Sequence, residues 1–203
     1  MLMMNDPLRL QALGKVASLG LPDCWIGAGF VRDALWVHLH GFDVVAPDGD
    51  VDVVWFDAGT PHKDRDRRIE KELRSAMPDL LWSVKNQARM HRRNCDAPYT
   101  SVGSAMRCWP VTATAVAARV GCSGSIKINA PLGLDDLFGL QLRPTLSFLT
   151  GKLPIFNDRV RSQRWLERYP KLLLDAPKDA DAAAAIEPTY LASQHPQLGV
   201  TDK

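Results

Sequence analysis

Apolar residues fall at helical spacing through the first ordered-looking stretch, Pro7 to Ser18, where Leu8, Leu10, Leu13 and Val16 recur. The spacing predicts a short amphipathic helix, ended by Gly20. Cys24-Trp25-Ile26 is then a brief apolar run, the length of a buried strand end, and it meets the turn Gly27-Ala28-Gly29. Helical spacing resumes from Phe30 to Leu39, with Val31, Leu35 and Leu39 on one face. The segment reads strand, glycine turn, helix. Pro47-Asp48-Gly49 signals another turn. Asp50 to Phe56, Asp-Val-Asp-Val-Val-Trp-Phe, is β-branched and aromatic, as strands are.

Pro61 to Ala76 reads as a charged helix with Ile69 and Leu73 as its buried points, the alternating charges of Lys63 to Arg68 forming a solvated face. Leu80 to Lys85 reads as a strand, Ser101 to Met106 and Thr112 to Val120 as helices, and Ser125 to Asn129 as a strand. Leu134 to Leu142 has no clear period, although Asp135-Asp136 suits a helix N-cap. Asp158 to Leu174 looks helical, with a break at Pro170, and Trp165 and Leu166 are expected to pack that helix. From Asp175 the composition shifts: Asp179 to Ala185 is an Ala/Asp run, and the rest is polar with scattered proline. The expected organisation is one domain over residues 1–174, whose helical C-terminal part closes the site, and a weakly ordered tail over 175–203.

Composition narrows the class without fixing the function. The chain has 203 residues, 46% hydrophobic and 24% charged, enough to bury a sizeable core. A formal net charge of +2 neither requires nor excludes a nucleic-acid partner. Cys24, Cys95, Cys108 and Cys122 include no C-x-x-C pair, so a zinc knuckle or redox motif is excluded. No secretory pattern opens the chain and no apolar run reaches the length of a membrane span. The expectation is a cytoplasmic protein with no membrane partner and with reduced, mostly buried thiols.

Two motifs carry candidate chemistry. In Gly27-Ala28-Gly29-Phe30-Val31-Arg32-Asp33, small residues between a strand and a helix let backbone N–H groups approach an anion, and the helix N-terminus adds partial positive charge. In Asp50-Val51-Asp52, strand alternation puts both carboxylates on one face, where they repel unless a cation lies between them. Hard oxygen ligands of this kind favour Mg²⁺, with Mn²⁺ as a substitute. A basic run, Lys85, Arg89, His91, Arg92 and Arg93, suits a triphosphate or an RNA backbone, or else a solvated loop face. Asn86 and Gln87 suit a base or ribose, or else bracing of the loop. His38 and His40 have the wrong helical spacing for shared metal ligation and are expected to be structural.

Together the two motifs resemble the polymerase-beta-like nucleotidyltransferase superfamily. Ala28 to Asp33 is similar to the G-G-x-V-R-D signature of its CCA-adding and poly(A) polymerase branch. The chain looks more closely like a bacterial nucleotidyltransferase-like family through Trp82 to His91, Trp109 to Val116 and Ala130 to Pro144. The resemblance implies an α/β (α+β) fold, a small mixed sheet flanked by helices. It implies two-metal transfer of a nucleotide from an NTP, with Asp50 and Asp52 as catalytic metal ligands. Gly27, Ala28, Gly29, Arg32, Lys85, Asn86 and Arg89 are the implied nucleotide-binding residues, and Asp33 caps or orients. The acceptor is left open among RNA, protein and small molecules. Active members of the superfamily take a third carboxylate from a later strand, but Leu80 to Lys85 has no acid. Ser83 stands in the expected place, and Val111 stands where another acid would be natural. Asp96 and Asp135 are the substitutes to consider. The alternative function is a catalytically weakened nucleotide-binding or regulatory protein, and a scaffold-only interaction module is a third class.

Overall fold

In a computed structural model, which describes residues 5–177 apart from 44, 45, 61, 122 and 150, the brief apolar run before the glycine turn becomes the centre of a sheet. Helix α1 (Pro7–Ser18) precedes β1 (Trp25–Gly27), α2 (Gly29–His40), β2 (Val51–Trp55), α3 (Lys63–Ala76) and β3 (Trp82–Asn86). Short helices α4 (Met90–Asn94) and α5 (Val102–Met106) lead to β4 (Ala117–Val120) and β5 (Ile126–Asn129). The remainder is α6 (Asp135–Phe138), β6 (Gln141–Leu142), α7 (Leu146–Leu149), α8 (Leu153–Ser162), α9 (Trp165–Arg168) and β7 (Leu173–Leu174). The main sheet runs β3-β2-β1-β4-β5. Only β2 and β3 are parallel, joined by the α3 crossover. Strands β6 and β7 form a separate parallel pair. This is the mixed sheet flanked by helices that the resemblance implies.

The two faces of the sheet have different fates, and the alternation of β2 shows why. Val51, Val53 and Trp55 are buried on one face, in a core shared with Ile26, Val84, Phe30, Trp36 and Leu73. Burying each such side chain stabilises the fold by roughly 1.5–3 kcal/mol. On the other face Val54, Trp25 and Ala117 meet Val102 and Met106 of α5 in a smaller cluster, with Trp109 packed against it. Asp52 belongs to this second face and stays partly open, its side chain 31% exposed.

Several expectations are corrected. Thr112 to Val120 is not a helix: a 3₁₀ turn over Thr112–Thr114 gives way to β4, which pairs with β1 and β5. Tertiary pairing there overrides the helix propensity of its alanines. Asp158 to Leu174 is not one helix. Helix α8 starts earlier, at Leu153 with proline in its first turn, and Arg164 breaks the helical path in a left-handed conformation, φ 51°. Pro170 acts as expected: the preceding Tyr169, at φ −131° and ψ 80°, leaves the helical region and ends α9. Leu134, not Asp135 or Asp136, is the N-cap of α6; the Asp136 carboxylate instead accepts from Thr112 and pairs with Arg143.

The solvated face of α3 has an exception, since Asp66 is buried and accepts from Trp55 Nε1 at 2.9 Å and from the Asn86 amide. Trp165 packs as expected, but Leu166 is exposed. The thiols are less buried than expected: Cys95 is exposed, and Cys24 and Cys108 are intermediate. His40 is structural, its Nδ1 against the Trp36 carbonyl and its Nε2 accepting from the Lys171 amide. Cys122 and residues 178–203, including the Ala/Asp run, lie outside the described residues. Asp175 is described, and its amide donates to the Leu142 carbonyl while its carboxylate pairs with Arg143.

Candidate functional site

Register builds the site. Gly27 lies opposite Asp52 across the β1–β2 ladder, and Asp52 lies opposite Ser83 across β2–β3. The chain then turns at Ala28, held at φ 50°, ψ −121°, a conformation L residues rarely adopt. The turn swings α2 so that its first residues, Gly29 and Phe30, line a cleft with Asp50 and Asp52. The first amides of a helix have no partner within it, so this end offers donors and partial positive charge to an anion. A Cβ on Gly29 would lie 3.2 Å from the Asp33 carboxylate and 3.3 Å from the Arg32 guanidinium, which fold back over it.

The cleft, of about 340 Å³, is walled on its far side by the C-terminal helices through Arg159, Gln163 and Arg168. Arg32 is buried against the edge-to-face pair of Trp36 and Trp165, 5.0 and 4.6 Å from their centroids, and pairs with Asp33 at 2.7 Å. Arg168 holds Asp48, beside the acid pair in sequence, at 2.6 Å. A second, more apolar lobe of about 190 Å³ shares Ala28, Asp52 and Arg159 with the first. Val54, Met90, Trp109 and Pro110 form its floor, and Lys85, Gln87 and Asn94 supply polar groups. Asp52 and Arg159 therefore stand where the two lobes meet.

Burial pushes the Asp52 carboxyl above the usual carboxylate range; the Lys85 ammonium and the Ser83 hydroxyl pull it back, and Asp50 adds to the rise. Burial also lowers the Arg159 guanidinium, helped by nearby Arg32 and opposed by Asp52. Lys85 Nζ is 3.8 Å from Asp52 Oδ1 and donates to Ser83 Oγ. A partly buried carboxylate beside a second one, both facing open space, is a donor set of the kind a hard divalent cation shares with phosphate oxygens. Among the described residues, no group of three or more His, Cys, Asp or Glu gathers for a metal.

The structure sorts the expected site residues. Asp50, Asp52, Ala28, Gly29 and Arg32 converge on the first lobe, and Lys85 lies on the second. Gly27 lines neither. A Cβ there would meet the Trp109 ring at 2.9 Å, so the indole is what requires this glycine. Asn86 and Arg89 are turned away. Asn86 is fully buried, its side chain bonded to the backbone of Asp57, Thr60 and Ala88. Arg89 pairs with Asp66. The placement of Asn86 follows from alternation, because Asn86 shares a sheet face with Trp55 and Lys85 shares one with Asp52; Arg89 lies beyond the strand, in a 3₁₀ turn over Gln87–Arg89. Neither substitute acid joins the pair. Asp96 is engaged by Lys152 and the Tyr99 hydroxyl, Asp135 sits in the first turn of α6, and Val111 is buried core. Sequence reading missed Arg159, Gln163, Arg168 and Trp109. The repeated arginines at 159, 161, 164 and 168 were the available signal for the basic wall.

Comparison with known proteins bears on this geometry. The sequence model of a nucleotidyltransferase family matches residues 14–174. An NMR structure described as revealing a CCA-adding enzyme head domain is 30% identical, with a TM-score of 0.76 over 86% of this chain and 93% of that one. A CCA-adding enzyme solved with CTP is 16% identical, with a TM-score of 0.55 over 93% of this chain and 45% of that one. A tRNA-processing enzyme in an apo form is 21% identical, with a TM-score of 0.50 over 91% of this chain and 50% of that one. These last two share the fold, and the chain spans about half their length. Among curated proteins, none matches the chain.

Proposed function

The chain belongs to a nucleotidyltransferase family, and from that premise we propose that it transfers a nucleotide from an NTP, with Mg²⁺ or Mn²⁺ held by Asp50 and Asp52, in the cytoplasm. The observation that carries the site assignment is the meeting, in one polar cleft, of the α2 N-terminus, the two carboxylates and Arg159. Gly29 and Phe30 present backbone amides to the terminal phosphates, and Arg159 and Arg168 neutralise their charge. Arg32, packed on two indoles and paired with Asp33, braces the floor of this lobe. Bound at Asp50 and Asp52, the cation supplies charge neutralisation for the triphosphate. The acceptor hydroxyl enters by the second lobe, which meets the first at Asp52. No helix among the described residues is long and apolar enough to cross a membrane.

Purified protein incubated with each labelled NTP, Mg²⁺ or Mn²⁺, and a cell extract is expected to transfer label. The labelled product identifies the acceptor as RNA, protein or small molecule, and Asp52→Asn is expected to abolish the transfer. One observation favours a second reading, a nucleotide-binding protein with weakened turnover: no group of three or more His, Cys, Asp or Glu gathers for a metal among the described residues, and Asp33 and Asp48, which also line the cleft, pair with Arg32 and Arg168. NTP binding without transfer, for every nucleotide and extract, would select that reading. Loss of metal-dependent NTP binding altogether would reject both.

A further inference from the structure

Asp52 faces two ways. It lines the first lobe with Asp50, and the second with Lys85. On the first side two carboxylates adjoin open space. On the second, β3 runs parallel to β2 with Ser83 opposite Asp52, and Lys85, two residues on, points to the same face. Its Nζ lies 3.8 Å from Asp52 Oδ1 and donates to Ser83 Oγ, so a positive charge occupies the flank of Asp52 that faces the second lobe. Transfer that uses two divalent ions needs the central carboxylate to bridge both, with further anionic ligands for the second. Here no third carboxylate joins the pair among the described residues, and a doubly charged ion on that flank would face an ammonium at the same oxygen.

We propose that the Lys85 ammonium takes the place of a second divalent cation, so that the site binds one divalent ion per chain. The proposal rests on the nucleotidyltransferase reading of the cleft. Asp50 and Asp52 would hold the single ion, which would neutralise triphosphate charge. Lys85, its side chain 41% exposed to the second lobe, keeps donors available beyond the one given to Ser83. It can therefore hold the acceptor oxygen near Asp52 by hydrogen bonding. It polarises that oxygen less than a divalent ion would, because it carries a single rather than a double charge.

Mn²⁺ titration of the full chain, with a saturating non-hydrolysable NTP analogue and bound ion read by electron paramagnetic resonance, tests this. Wild type is expected to bind one Mn²⁺ per chain and Asp52→Asn to lose it. Lys85→Glu, which replaces the ammonium by a carboxylate, is expected to bind two. Two Mn²⁺ in wild type, both lost in Asp52→Asn, would overturn the Lys85 assignment while leaving the nucleotidyltransferase reading standing. A folded Lys85→Glu that still binds one would overturn it as well. No Mn²⁺ and no analogue bound by wild type would overturn the cleft reading itself, and this proposal with it. Should Lys85→Glu fail to fold, Lys85→Met keeps the aliphatic stem and removes the charge competing for Asp52. Its Mn²⁺ affinity is expected to rise about two- to fivefold, the range of a partly exposed ion pair. An unchanged or weaker affinity would overturn the proposal.

Discussion

Asp52 is ionised against its surroundings: burial and Asp50 disfavour its charge more than Lys85 and Ser83 favour it. A carboxyl raised in the folded state binds more protons there than in the unfolded chain between the two titration points, so stability falls as pH rises through that window. Asp52→Asn removes the charge. The metal-free variant is therefore expected to melt above wild type at about pH 7, with the advantage shrinking as pH falls into the ordinary carboxylate range near pH 4. Thermal denaturation over that interval, with chelator present, checks it; a variant less stable at neutral pH would show that the Lys85 contact outweighs burial. At this scale the face of Asp52 was legible from strand alternation, whereas Asp50 precedes β2 and lines the cleft from the turn before it. The same alternation separates Lys85 from Asn86, and reading the two as one binding cluster ignored it. The role of Gly27 was not legible, since Trp109, 82 positions later, is what demands its small size.

Elements divide by how locally they are determined. Helices α1, α2 and α3 and strands β1, β2, β3 and β5 were readable from period and turn residues, to within a residue or two at most ends. Strand β4 was not, because a run rich in alanine and valine takes its conformation from the partners it finds in β1 and β5. The basic wall from α8 and α9 was also beyond local reading, since the left-handed turn at Arg164 sets how these helices meet the cleft. Arg159 is the test of that wall. Burial and Arg32 both disfavour its charge, so without ligand the fold gains little from it. A triphosphate reverses the balance. Arg159→Met, which keeps most of the stem, is expected to leave the melting temperature of the ligand-free protein unchanged or raised. The same change should weaken NTP binding about 10- to 100-fold, the worth of one charge-assisted hydrogen bond. Calorimetric NTP titration beside a melting curve separates these effects; loss of stability with unchanged affinity would make Arg159 a structural residue.

At the scale of the whole molecule, the question is where the folded unit ends. Composition places the boundary after Leu174, and the family match also ends there. The contacts run slightly further. Asp175 extends the β6–β7 pairing by donating its amide to the Leu142 carbonyl at 3.0 Å, and its carboxylate holds Arg143 at 2.6 Å. Arg143 in turn pairs with Asp136, so Asp175 is tied to α6, and Ala176 packs against the core. Polar contacts of this reach leave no period in the sequence, so composition does not register them. Truncation after Leu174 removes one backbone hydrogen bond, worth about 1 kcal/mol, and a half-exposed ion pair, worth up to about 1 kcal/mol. For a chain of this size the melting temperature should then fall by about 2–8 °C. Truncation after Pro177 keeps these contacts and removes only a segment whose Ala/Asp run has no sustained apolar face, so it is expected to melt with the full chain. Melting curves of the two truncations and the full chain decide it. Equal melting of all three would return the boundary to Leu174, and a large loss in the longer truncation would show that residues beyond Pro177 pack on the domain.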